Sequence, residues 1–153
     1  MNSKTFLVAA VLLTSLGCGG GGPVIPEDLT PTTGTIKVDG EIAAGVSIAF
    51  TPTDGTKGEG AWGVTDSQGQ FYLKYKGESE GIQPGSYAVH LSRFLMPDGS
   101  PSPPDRAPHL TGAKQSIPPE WSDKMKVTPL NTVTIPKSGG KPLEFDIKTK
   151  KKK

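Results

Sequence analysis

Between residues 33 and 148 apolar side chains recur at every second position, and this period most constrains what the chain can fold into. Ile36 and Val38 share a face. So do Val46, Ile48 and Phe50, with Ser47, Ala49 and Thr51 opposite. Phe71, Leu73 and Tyr75 alternate with Tyr72, Lys74 and Lys76. Tyr87, Val89 and Leu91 alternate with Ala88, His90 and Ser92, and Leu143, Phe145 and Ile147 with Glu144, Asp146 and Lys148. A period of two marks strands that bury one face. Residues 62–64 and 132–135 are further strand candidates.

Turn chemistry separates these runs. Asp39–Gly40 follows the first run, and Asp66 with Gly69 precedes Phe71. Pro84–Gly85 precedes Tyr87, and Gly139–Gly140 precedes the last run. Asp folds its carboxylate back onto turn amides, and Gly takes positive φ without a clash. The 20 Gly and 15 Pro among 153 residues disfavour long helices. The fold class that follows is all-β: a small antiparallel β-sandwich of about seven strands.

The first 17 residues have a different character. Lys4 is followed by an uncharged, mostly apolar run, FLVAAVLLTSL, at residues 6–16. Its 11 residues would rise only ~16 Å as a helix, about half of a ~30 Å hydrocarbon core. The run suits an export signal better than a permanent span. Cys18, the sole cysteine, stands where it ends. One cysteine excludes an intrachain disulfide and any zinc site built on several thiolates.

Ser15, Leu16, Gly17 and Cys18 resemble the lipobox of bacterial lipoprotein signals. Gly17 and Cys18 match its pattern, while Ser15 and Leu16 stand in the reverse of the usual order. The resemblance implies cleavage before Cys18 and acylation of its thiol and amine. Two or more acyl chains anchor a protein stably, where one does so marginally. Cys18 is then a lipid attachment point on an extracytoplasmic membrane surface, inner or outer. Residues 18–32 hold four consecutive glycines and Pro23, Pro26 and Pro31. This composition reads as a linker.

A second resemblance lies in the strands. GTIKVDGEIAAGVSIAFTP, TDSQGQFYL and GIQPGSYAVHL resemble, in order, three elements of carboxypeptidase-regulatory-like domains, covering residues 33–92. The stretch from Ile117 to Lys148 is similar to the closing strands of small lipoproteins that carry such a domain. The resemblance implies a transthyretin-like sandwich that serves as an accessory, adhesive or structural module, with no catalytic residues. The domain is expected at residues 33–148, with a proline-rich insertion at residues 95–126 and a basic tail at 149–153.

The insertion shows neither period and holds seven of the 15 prolines. Extended polyproline-like backbone is expected there, with Leu110 and Trp121 folding back onto the sandwich. At 32 residues it is long for a structureless connection. A partner-binding flap is one reading, since loops on rigid β scaffolds carry recognition.

Charge and motifs narrow the function. Between residues 19 and 147 there are 11 basic and 15 acidic residues, a balance of −4. This argues against nucleic-acid binding, which needs basic side chains gathered on a folded face. Five lysines crowd the last six positions. They form either a solvated end or a contact for anionic headgroups. No metalloprotease, nucleophile-elbow, phosphate-loop or paired-cysteine motif occurs. Asp66 and Gly69 lack the alternating carboxylates of a calcium loop. His90 is expected on the exposed side of its strand, and Trp62, Tyr72 and Tyr75 as packing or strand-surface residues. No cofactor and no metal site are expected.

The expected function is a non-catalytic, membrane-anchored envelope lipoprotein. Its partners would be the membrane, through Cys18, and an envelope protein or polysaccharide. The alternatives are a secreted, transthyretin-like ligand-binding protein, and an enzyme using His109, Asp105 and Glu120 of the insertion.

Overall fold

The computed structural model describes residues 25–77, 79–103 and 105–149. The expected signal segment, Cys18, the glycine run and residues 150–153 lie outside the described residues. Strands take 41% and helix 9%, as the Gly and Pro content demands. No described helix is long and apolar enough to cross a membrane.

One sheet is built on β1 (Thr33–Val38). β2 (Glu41–Ile42) turns back along its second half through Asp39 and Gly40, both at positive φ. β5 (Gln70–Tyr72) pairs with its first half. On the other side β12 (Leu143–Ile147) runs parallel to it, the one parallel pairing among otherwise antiparallel strands.

The second sheet takes β3 (Ser47–Thr53), β4 (Ala61–Val64), β6 (Lys74–Tyr75), β7 (Ser79–Glu80), β8 (Gly85–Ser92) and β11 (Thr132–Ile135). Their order is β11-β8-β3-β4-β6-β7. Among the described residues, seven strands are three residues or longer. The run from Phe71 to Tyr75 reads as one strand in sequence but divides at Leu73, so that β5 joins the first sheet and β6 the second. A strand that changes sheets makes a corner of the sandwich.

The alternating residues meet between the sheets. Ile36, Val46, Ile48, Phe50, Phe71, Leu73, Tyr75, Tyr87, Val89, Leu91, Phe145 and Ile147 are all buried. Phe50 and Tyr87 pack edge to face at 6.0 Å. Thr65 reaches into this core because its hydroxyl is satisfied twice. It donates to the Ala43 carbonyl at 2.7 Å and accepts from the Val46 amide at 2.9 Å. Asp66 makes the expected turn, its carboxylate accepting from the amides of Gln68 and Gln70.

Three expectations change. The ordered backbone starts before residue 33, because Thr30 and Ile82 exchange amide-to-carbonyl bonds of 2.8 and 3.0 Å. The insertion is not simply extended. β9 (Phe94–Leu95) and β10 (Lys114–Gln115) close it at its base, and one-turn helices occupy Pro108–Thr111 (α1) and Pro119–Ser122 (α2). Leu110 stays 75% exposed instead of folding back, whereas Trp121 is buried against Phe145. α1 buries none of its residues, and α2 packs on β8.

Candidate functional site

The outward face of the second sheet is ordered by its registers. His90 stands opposite Ala49, Ala49 opposite Trp62, Trp62 opposite Lys74, and Lys74 opposite Glu80. These five residues form one row across the sheet, because each pairing preserves the face on which a side chain emerges. The neighbouring row holds Ser92, Ser47 and Val64. Small side chains in mid-row leave a depression between taller neighbours.

Trp62 is one wall. Its indole is 49% exposed near the middle of a sheet, where an aromatic side chain usually finds a cover. On the far side lies Gly77, where a Cβ would stand 3.7 Å from the ring, at ordinary van der Waals contact. The opposite wall comes from the insertion. After Trp121 turns inward at the β8 edge, Ser122 and Lys124 pass outside it and overhang the sheet. The hollow between the two walls is open to the surface and about 170 Å³ in volume, lined by Ala49, Trp62, His90, Ser92, Ser122 and Lys124 among others.

The overhang corrects the expectation for His90. The imidazole is buried, at 5% exposure, although it lies on the polar side of its strand. Its Nδ1 has no hydrogen-bond partner among the described residues. Burial, reinforced by the positive charge of Lys124 and opposed by Asp123, holds its pKa below the ordinary value. His90 is therefore neutral at pH 7.

Lys124 is the only charged side chain of the hollow, and it pairs with none of the described carboxylates. A second depression, on the other side of Trp62, carries both signs. There Lys76 pairs with Glu59 at 3.0 Å, so its charge is already matched.

The other residues singled out in the sequence fall elsewhere. His109 lies on α1, Asp105 in the loop before it, and Glu120 on α2. No hydrogen bond or ion pair joins any two of them among the described residues. Tyr72 is exposed on β5 of the other sheet, and Tyr75 is core. Cys18 lies outside the described residues. No three described His, Cys, Asp or Glu side chains gather closely enough to hold a metal ion. Sequence reading assigned no role to Ser122 or Lys124, and no periodicity there signals one.

No protein-family model, curated protein sequence or solved structure matches this chain.

Proposed function

We propose that this chain is a non-catalytic envelope lipoprotein, anchored through acyl chains on Cys18, whose β-sandwich is a binding module. The groove beside Trp62 is its contact surface. The observation that carries the reading is the half-exposed indole at the middle of a rigid sheet face, walled by an overhanging loop. Recognition surfaces commonly combine an aromatic anchor of this kind with loops held by a β scaffold.

The anchor is supported by the lone cysteine at the end of an apolar run too short to span a bilayer. The tether is shorter than the sequence suggests, since Asp28 already bonds to Gln83 and Thr30 to Ile82. Nine residues, 19–27, remain between Cys18 and this docked segment. A flexible chain of that length would span ~17 Å as a coil and about 30 Å at full extension. The groove would be held close to the membrane surface.

Mass spectrometry of the mature N-terminal peptide tests the anchor, with Cys18→Ala as control. A diacylglyceryl mass on Cys18 is expected. An unmodified Cys18, or cleavage elsewhere, overturns the anchor and favours a secreted protein. For the module, the soluble Cys18→Ala chain is expected to sediment with isolated bacterial envelopes, and Trp62→Glu to abolish this. Sedimentation unchanged by Trp62→Glu overturns the assignment of the groove.

A further inference from the structure

We propose that the groove between Trp62 and the Ser122–Lys124 overhang takes one acidic sugar ring, a pyranose that carries a carboxylate. The inference rests on reading the sandwich as a binding module, and it names the ligand of that same site.

Size comes first. A hollow of about 170 Å³ is well below the ~300–1,000 Å³ of sites for drug-sized ligands. It is close to the ~150 Å³ of an engineered cavity that holds one benzene. One six-membered ring therefore fills it, and a longer chain must continue into solvent on either side. The hollow is open to the surface, so a ring within a polymer can enter it.

The walls select the kind of ring. Trp62 presents a flat apolar surface, suited to the axial C–H face of a pyranose more than to a folded peptide. The rest of the lining is mostly apolar, with a few polar groups set into it: the hydroxyls of Ser47, Ser92 and Ser122, the last already donating to the Pro118 carbonyl, and the imidazole of His90. A saccharide has this division, an apolar face and a rim of hydroxyls. A purely apolar ligand would leave the polar groups unmatched, at a cost in affinity.

Charge makes the last distinction. Lys124 is exposed, unpaired among the described residues, and alone in the lining. His90 is buried and neutral, so Lys124 is the one charged side chain of the lining, and the neighbouring Asp123 carboxylate is engaged by the Met125 amide. A carboxylate on the ring supplies the counter-charge through a charge-assisted hydrogen bond. The hollow on the far side of Trp62 lacks this feature, because Glu59 already occupies Lys76. A neutral ring in the hollow beside Lys124 would leave that ammonium without a counter-charge.

The test uses the purified full chain in detergent and two probes of equal length, a tetrasaccharide containing glucuronic acid and a tetrasaccharide of glucose. Affinity is read by calorimetry, and contact with the indole by tryptophan fluorescence against Trp62→Phe. The acidic probe is expected to bind at least about tenfold more tightly than the neutral one, a difference of ~1.4 kcal/mol. Trp62→Ala and Lys124→Gln should each weaken it about tenfold, with circular dichroism unchanged, and Lys124→Gln should remove most of its salt dependence. Equal binding of both probes, indifference to Lys124→Gln, or binding that survives Trp62→Ala overturns the inference. Binding of neither probe overturns it too. Envelope sedimentation that is still lost with Trp62→Glu would then leave the wider reading of the groove standing.

Discussion

Trp121 meets Phe145 edge-on, ring centres 5.8 Å apart and planes at 80°. The contact joins the insertion to β12 and closes the sandwich along one side. β11 pairs with β8 only over Gly85–Ala88, so the later half of β8 has no strand beside it there. α2 fills that place, with Ile117 and Trp121 plugging the gap between the sheets.

Trp121→Ala should therefore destabilise the whole domain and not just the loop. Truncating a buried aromatic of this size costs about 3–5 kcal/mol. Urea unfolding, followed by circular dichroism, measures it. A loss below about 1 kcal/mol would mean that the insertion is a separate appendage.

His90 predicts a pH dependence. Its pKa is lowered on folding, chiefly by burial, so the unfolded chain binds more protons as the pH falls. Stability should be constant above the ordinary histidine pKa of about 6.5. It should decline as the pH drops from there to the lower folded value, and level off for this group below it. His90→Gln should flatten that part of the profile. A profile unchanged by the substitution would show that the imidazole is not the group responsible.

Gly34 is fixed by space. A Cβ there would lie 2.3 Å from the Leu143 carbonyl oxygen and 2.6 Å from the Phe71 ring. Gly34→Ala must push apart β1, β12 and β5, at about 1–3 kcal/mol. Gly140→Ala is the control, since its Cβ meets only Pro136 atoms, at 3.7 and 3.8 Å. That change should stay within about 0.5 kcal/mol. Comparable unfolding midpoints for the two variants would contradict the packing of β1.

The parallel pairing of β1 and β12 bears on the lysine tail. Both strands start at the end of the sandwich where the N-terminal segment enters, so Thr149 leaves at the opposite end, hydrogen-bonded to Asp39. The six residues of β1 separate these ends by ~20 Å. Under the proposed anchor the tail starts on the side away from the membrane. A chain ending at Thr149 should fractionate with membranes as the full chain does. A marked shift to the soluble fraction would show that the lysines hold the headgroups after all.

Much of the fold was legible because burial alternates with the pleat. The inward positions Val46, Ile48, Phe50, Tyr87, Val89 and Leu91 could be read one by one, as could the Asp66 turn, whose bonds are local. His90 was misread for the same reason that its strand was read well. Alternation names the face of a side chain, and what covers that face comes from a segment some thirty residues later. Leu110 and Trp121 show the same limit, since a proline-rich stretch has no period to tell which apolar residue packs.

By itself, then, the sequence determined the β class, the turns, the inner face of each long strand and the position of Cys18 at the end of a short apolar run. These follow from local propensity and a period of two. Only the tertiary structure decided that the run at Leu73 changes sheets, that β12 lies parallel to β1, and that Ser122 and Lys124 overhang the row of His90, Ala49 and Trp62. Those choices depend on long-range packing, where the open edge of β8 and the empty space beside Phe145 select the segment that fills them.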